Sequence, residues 1–160
     1  MNEDQMNLLE KDLHARLPYG IKGIASVKKF VKSSDTEWFY TEKKTDVEAE
    51  LVAIKYNDSI LLEYDYDSDD LLDNYTLKDF KLYLRPMSSI TKEELKELRD
   101  IFNGVVDFNE WGLDILDSDY HGFSYLEICA IIDWLNTHHF DYRGLIEKGL
   151  ALVAPDGIYN

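Results

Sequence analysis

The segment DVEAELVAIKYNDSILLEYDY, residues 46–66, decides the predicted fold because it contains two strand-like runs joined by a turn signal. Every second residue from position 60 to position 66 is apolar or aromatic, which is the period of a β-strand with one buried face. Asn57 and Asp58, between the two runs, favour a tight hairpin turn. We therefore expect two adjacent antiparallel strands in this part of the chain.

The predicted sheet extends to both sides of this hairpin. The period of two begins at YGIKGIASVKKF (19–30) and continues in TEWFYTE (36–42), and FKLYL (80–84) supplies another inward face. Before the sheet, apolar residues at helical spacing predict a helix over 4–16 that ends ahead of Pro18.

The second half of the chain is predicted to be helical. Thr91 with Glu94, and Ser124 with Glu127, each fit the capping box that begins a helix. The helix after Ser124 is apolar around most of its surface, so we expect it to be buried on most sides as the spine of the core. A short last helix is predicted over 141–148.

These elements predict an α+β fold with an N-terminal helix, an antiparallel sheet of four or five strands, and C-terminal helices packed on one face. With 160 residues, of which 45% are hydrophobic, the chain has the size and composition of a single domain, residues 1–160. It begins without a secretion signal pattern and holds one cysteine, so we expect a cytoplasmic protein.

The formal charge of −15 is concentrated in two windows. Seven acidic residues and no basic residue lie between Lys55 and Lys78, and nine acidic residues and no basic residue lie between Arg99 and Arg143. The other 16 of the 32 acidic residues are balanced by all 17 basic residues. This distribution attracts basic partners and repels nucleic acid and anionic membranes, so neither of these is expected as a direct ligand.

The first window partly matches a calcium-binding loop. Asp65, Asp67 and Asp69 fit the first three ligand positions of an EF-hand. Asp70 then takes the position that needs glycine, and Thr76 takes the position of the bidentate glutamate. The segment before it is also strand-like, so calcium binding is not expected here.

The second window holds a similar partial match in DSDYHG (117–122). Its twelfth position is Ile128, and the neighbouring Glu127 belongs to the capping box. A weak metal site near Asp117, Asp119 and His121 stays open as an alternative. No catalytic or cofactor-binding motif is present, so we expect no cofactor and no enzymatic activity.

Acidic residues alternate with tyrosines in EYDYDSDDLLDNY (63–75). One interpretation is that the tyrosines pack inward while the aspartates solvate a turn and oppose edge-to-edge aggregation. The other is an anionic, aromatic surface that binds a basic protein, with carboxylates standing in for phosphates. The residues of this predicted partner-binding surface are Glu63, Tyr64, Asp65, Tyr66, Asp67, Asp69, Asp70, Asp73, Asp114, Asp117 and Asp119.

Three blocks of the sequence, LLEKDLHARLPYGIKG (8–23), LYLRPMSSITKEELKEL (82–98) and IDWLNTHHFDYRGLIEKGLAL (132–152), resemble a family of small proteins from phages and prophages of Bacteroidota. The resemblance implies no activity, cofactor or catalytic residue, and we expect the blocks to be scaffold. Asp141 and Arg143 in FDYRGLI are expected to form a local cap or ion pair. The implied context is a phage-encoded accessory protein in a bacterial host.

The sequence therefore favours a non-enzymatic accessory protein that presents an acidic, tyrosine-rich surface to a basic protein partner. An inhibitor of a nucleic-acid-binding enzyme, either a nucleic-acid mimic or an anti-CRISPR-like protein, is one form of this hypothesis. One alternative is a phage housekeeping or assembly protein whose acidity only confers solubility. The other is a metal-dependent enzyme that uses the clustered carboxylates.

Overall fold

A computed structural model describes residues 1–32, 40–55, 59–63, 75–101, 106–109, 112–115 and 124–159. Within these ranges the chain has the predicted α+β fold. The helices are α1 (Glu3–Arg16), α2 (Lys92–Ile101) and α3 (Tyr125–Thr137), with short 3-10 helices at Leu17–Tyr19, Leu77–Asp79 and Met87–Ser89. The strands are β1 (Ile21–Lys32), β2 (Tyr40–Ile54), β3 (Ser59–Glu63), β4 (Tyr75–Thr76), β5 (Phe80–Leu84), β6 (Val106–Asn109), β7 (Gly112–Ile115) and β8 (Ala151–Val153).

Six strands form one sheet in the order β4-β3-β2-β1-β5-β8. β2 and β3 form the hairpin that the sequence predicts, with Ile54 paired to Ile60, while Asn57 and Asp58 lie outside the described residues. Five strands are antiparallel, as predicted. The sixth strand, β8, pairs in parallel with β5, so the predicted count of four or five is too low. A parallel neighbour needs a long crossover, which here contains α2 and α3.

One face of the sheet packs against α1. Ile21 is paired with Leu51 across β1 and β2, and both side chains are almost completely buried. Leu9 and Leu13 of α1 belong to the same apolar cluster. The helix begins at Asn2, whose side chain accepts a hydrogen bond from the backbone N–H of Gln5 at 2.8 Å. The helix predicted over 4–16 is therefore confirmed to within one residue.

A second apolar cluster joins α2 and α3. It consists of Leu98, Ile131, Trp134, Leu135 and Phe140, with Met87, Ile90 and Tyr142 packed against it. Both predicted capping boxes are present at the helix starts. In the second of these, the Ser124 N–H donates to the Glu127 carboxylate at 2.7 Å. Capping is a contact over three residues, so the sequence predicts it reliably.

The first two turns of α3 do not match the prediction of a helix buried on most sides. Tyr125 is 80% exposed and Leu126 is 77% exposed, and Ile128 is also exposed. Only the last turns, from Ile131 onward, contribute to the second cluster. Apolar composition gives the capacity for burial, but it does not select the neighbours of a helix: the cluster on the sheet contains residues of α1, and only the later turns of α3 join the second cluster.

Two further predictions for the second half of the chain are wrong. Residues 141–148 form consecutive turns because the Asp141 carboxylate accepts hydrogen bonds from the N–H groups of Leu145 and Ile146, both at 2.8 Å. Gly144 and Gly149 also have left-handed φ angles of 66° and 69°, which end a right-handed helix. Between α2 and α3, β6 and β7 form an antiparallel hairpin in a region predicted to be helical, where apolar residues alternate with period two.

None of the helices in the described ranges combines the length and the apolar composition needed to span a bilayer.

Candidate functional site: an acidic face of the sheet

The described residues include two members of the predicted partner-binding surface. Glu63 is exposed at the end of β3, and the backbone of Asp114 lies in β7, paired with Asp107. The other members lie outside the described residues: Tyr64, Asp65, Tyr66, Asp67, Asp69, Asp70, Asp73, Asp117 and Asp119. The structure does bring Glu63 together with acidic residues that the sequence analysis did not select.

Four exposed carboxylates lie on the face of the sheet opposite to α1. Asp46, Glu48 and Glu50 follow one another at every second position of β2, so their side chains share a face with Cα spacings of about 6.7 Å. Glu50 is paired directly with Glu63 of β3. We call these four residues the acidic sheet face.

The first strand contributes the neighbouring positive charge. Lys22 is paired with Glu50 across β1 and β2, and its ammonium group donates to the Ile158 carbonyl at 3.1 Å. On the other side of β1, Ile24 is paired with Lys81 of β5. The described surface thus has four carboxylates beside two lysines, which leaves a local charge of −2.

A cleft of about 520 Å³ opens on this face. Glu48, Glu50 and Glu63 line it together with Lys22, Tyr83 and Ile158. Burial, and secondly the Glu48 carboxylate, raise the pKa of Tyr83. The Tyr83 phenol is therefore neutral at neutral pH and does not add to the negative charge.

Contacts of Tyr159 hold the C-terminal turn, which contains Ile158, against the sheet. Tyr159 donates its hydroxyl hydrogen to the Tyr83 carbonyl at 2.9 Å and accepts from the Lys22 N–H at 3.3 Å. Its ring stacks on His139 with ring centroids 3.5 Å apart. Burial raises the pKa of Tyr159 to about 12, so this hydroxyl is a stable neutral donor.

A buried ion cluster holds the segment before that turn. Asp12 and Arg16 of α1 are both completely buried, and the Arg16 Nε donates to the Asp12 carboxylate at 2.7 Å. Arg16 also donates to the Phe140 carbonyl at 2.7 Å, and the Arg143 Nε lies 3.2 Å from Asp12 Oδ1. Asp141 thus forms the local cap expected from the sequence, whereas the ion pair of Arg143 is with Asp12 of α1 and is not local.

The described part of the chain contains no group of three or more histidine, cysteine or acidic side chains that could hold a metal ion. The alternative site near Asp117, Asp119 and His121 lies outside that part. The ring of His138 stacks on Trp134 at 4.1 Å.

The sequence matches no family model, and comparisons with curated proteins and with solved structures find no similar protein.

Three of the four members of this face were not among the predicted site residues. Asp46, Glu48 and Glu50 lie outside both acidic windows because lysines are close to them in sequence. The signal that identifies them is their alternation, since a strand places every second side chain on one face. Counting charge along the chain hides this pattern, whereas counting charge for each strand face reveals it.

Proposed function

We propose that this protein is a non-enzymatic, phage-type accessory protein that binds a basic protein partner through the acidic sheet face. It acts in the cytoplasm of a bacterial host, and it inhibits a nucleic-acid-binding enzyme by occupying the surface that receives phosphates. The observation that supports the proposal is the direct pairing of exposed Glu50 with exposed Glu63, beside Glu48 and Asp46 on the same face.

The pairing of Glu50 with Glu63 has an energetic cost. Like charges directly opposite each other on neighbouring strands destabilise a sheet, by an amount comparable to the roughly 0.2–1 kcal/mol that a favourable pair contributes. A basic residue at either position would replace this repulsion by attraction. Lys22, which is paired with Glu50 on the other side, shows that this face accepts a basic residue. A destabilising cluster on a rigid sheet is typical of a binding surface.

The chemistry of the surface indicates the class of partner. Carboxylates repeated along a strand offer a row of negative charges to lysine and arginine side chains, as a phosphate backbone does. Such a row accelerates association with a basic groove, and the acceleration decreases as salt screens the charges. The raised pKa of Tyr83 leaves a neutral hydroxyl at the cleft.

The test compares two variants with the same change of charge. E48Q/E50Q/E63Q neutralises three members of the acidic sheet face, and E93Q/D100N/E147Q neutralises three exposed carboxylates elsewhere. Each chain is immobilised and exposed to a lysate of a Bacteroidota host at low and high salt, with and without duplex DNA as competitor.

We expect the wild type and the control variant to capture the same basic protein at low salt. The sheet-face variant should capture at least tenfold less of it, and high salt or duplex DNA should release it. Equal capture by both variants would exclude the acidic sheet face as the binding surface. Failure of every chain to capture a protein would favour the alternative in which acidity only confers solubility, and a heat stability that depends on divalent cations would favour the metal-dependent alternative.

A further inference from the structure

Tyr83 is a buried residue whose hydroxyl is left without a hydrogen-bond partner. Only 7% of the residue is exposed. The Tyr159 hydroxyl contacts the backbone carbonyl of Tyr83, and no group in the described part of the chain hydrogen-bonds to the Tyr83 hydroxyl. A buried phenol usually has such a partner, so this hydroxyl indicates a place for a ligand.

The Tyr83 side chain is directed into the cleft beside the acidic sheet face. It alternates along β5 with Leu82 and Leu84 of the core, so it lies on the face opposite to α1. Tyr83 lines the cleft, and its pKa is raised by burial and secondly by the Glu48 carboxylate. Because β1 lies between β5 and β2, the phenol extends across β1 towards that carboxylate.

The carboxylates that line the cleft have no cation of their own. Lys22 is paired with Glu50 across β1 and β2, but its ammonium group donates to the Ile158 carbonyl at 3.1 Å. Glu48, Glu50 and Glu63 form no ion pair with any residue that the structure describes. The three carboxylates and the one lysine of the cleft therefore leave a negative charge that a ligand can neutralise.

The spacing of these carboxylates selects the shape of the cation. The Cα atoms of Glu48 and Glu50 are about 6.7 Å apart along β2, and that of Glu63 is roughly 5 Å from Glu50 on the neighbouring strand. They do not converge on one point, since no group of three such side chains among the described residues could hold a metal ion. A planar guanidinium carries N–H donors along several edges and reaches two carboxylates at once, whereas an ammonium group is a compact point charge.

We propose that the cleft receives an arginine side chain of the basic protein partner, with its guanidinium between Glu50 and Glu63 and the Tyr83 hydroxyl as a further acceptor. This inference rests on the proposed function, because it names the residue of the partner that the acidic sheet face recognises. The cleft volume of about 520 Å³ is within the usual size of small-ligand pockets and admits a whole side chain. The aliphatic part of the arginine packs against Ile158.

Two general properties of arginine suit a site of this kind. Its guanidinium is less strongly hydrated than an ammonium group, so it loses less when it enters a partly enclosed cleft. Arginine is also enriched among the few residues that supply most of the binding energy of a protein interface. The charge of Lys22 opposes the ligand, but the three carboxylates outweigh it.

The experiment titrates the full chain with two small probes, N-acetyl-arginine methylamide and N-acetyl-lysine methylamide, at constant ionic strength. Both probes carry one positive charge, so they differ in the shape of the cation and not in its charge. Binding is followed by NMR through the backbone N–H resonances of Gly23, Ala49 and Ile158, which line the cleft.

Two variants test the contacts of the probe. E50Q/E63Q neutralises the paired carboxylates, and E93Q/E147Q, at exposed positions elsewhere, is the control with the same change of charge. Y83F removes only the hydroxyl. Circular dichroism confirms that each variant is folded.

We expect the arginine probe to bind the wild type and the control at least fivefold more tightly than the lysine probe does. It should bind E50Q/E63Q at least tenfold more weakly than the wild type, because two charge-assisted contacts are lost, and Y83F at least threefold more weakly. Equal binding of the two probes, or unchanged binding to E50Q/E63Q, would overturn the inference. Unchanged binding to Y83F would exclude the hydroxyl as an acceptor.

The proposed function is tested separately by the capture of a basic protein from the host lysate. An excess of the arginine probe should release the captured protein at a concentration at which the lysine probe does not. Release by neither probe would overturn the arginine anchor but leave the acidic sheet face as the binding surface. A probe that binds the cleft, when the wild type captures no protein, would contradict the proposed function and assign the cleft to a free guanidinium compound instead.

Discussion

Asp12 and Arg16 lie one helical turn apart on α1 and are completely buried. The sequence predicts the helix and its apolar positions but does not indicate that these two charges lie inside. Their burial depends on Phe140 and Arg143, which follow more than 120 residues later in the chain. A charge is buried at acceptable cost only when such partners satisfy it.

Asp12→Asn should destabilise the protein strongly, because it removes the negative charge and leaves Arg16 buried without it. The expected loss is about 3–5 kcal/mol in the free energy of unfolding, measured by urea denaturation. Glu10→Gln, on the same helix and partly exposed, is the control and should change the value by no more than about 0.5 kcal/mol. Equal effects of the two substitutions would contradict a structural role for the buried pair.

His139 is a second residue whose environment depends on distant contacts. It is buried, has a φ angle of 57° and stacks on Tyr159. Burial, and secondly the Arg16 guanidinium, lower the pKa of His139 from 6.5 to about 4. The unfolded chain therefore binds more protons than the folded one between these two values, and stability falls as the pH falls through this range.

His139→Asn should reduce this dependence on pH, since asparagine tolerates the left-handed backbone and does not titrate. We expect the contribution of His139 to the wild-type free energy of unfolding to be complete above pH 6.5 and to fall by up to about 3 kcal/mol as the pH approaches 4. In the variant, the free energy of unfolding should depend less on pH over this range. The measurement is urea denaturation at a series of pH values. His14→Asn, at an exposed site, should keep the wild-type slope; an unchanged slope in His139→Asn would show that other groups cause it.

At the level of strands and helices, Gly23 shows how a single position determines the packing of two strands. A Cβ atom at Gly23 would lie 2.3 Å from the Lys81 carbonyl oxygen and 2.9 Å from Leu82 Cα, both on β5. These are backbone atoms and cannot rotate away. The close approach of β1 to β5 therefore requires glycine, which the sequence alone does not distinguish from the other glycine of the strand-like run 19–30.

Gly23→Ala should destabilise the sheet by about 1–3 kcal/mol, the usual cost of overpacking, because β1 and β5 must separate to admit the methyl group. The measurement is the midpoint of urea denaturation. Ser26→Ala, three positions along β1, adds no side-chain bulk and should stay within about 0.5 kcal/mol of the wild type. An unaffected Gly23→Ala protein would mean that the two strands are less closely packed than described.

The helices show the limits of local patterns. The capping boxes at Thr91 and Ser124 form as predicted because each joins residues three positions apart. Tyr125 and Leu126 are exposed, contrary to the prediction, because tertiary packing determines which residues of a helix are buried. The turns after Phe140 replace a predicted helix because the Asp141 carboxylate binds two backbone N–H groups.

For the whole molecule, a net charge of −15 means that self-repulsion opposes the compact state. We expect the midpoint temperature of unfolding to rise when salt is added, because salt screens this repulsion. E48Q/E50Q/E63Q should be more stable than the wild type at low salt, by about 0.2–1 kcal/mol, and should respond less to salt. The measurement is thermal denaturation at low and moderate salt.

E93Q/D100N/E147Q has the same net charge and is the matched control. Its gain in stability at low salt should be smaller, since its three residues are on the helix surface and in the C-terminal turns, away from the acidic sheet face. Identical behaviour of the two variants would mean that only the net charge matters and that pairing Glu50 with Glu63 has no cost.

The sequence by itself determined the α+β class, the beginnings of the helices, the β2–β3 hairpin and the excess of negative charge, since each depends on period, composition or contacts over a few residues. Only the tertiary structure decided that Glu63 joins Asp46, Glu48 and Glu50 on one face, that Asp12 and Arg16 are buried, and that Ile158 of the C-terminal turn lines the cleft. The physical reason is that strand register and the docking of chain segments bring together residues that are far apart in sequence.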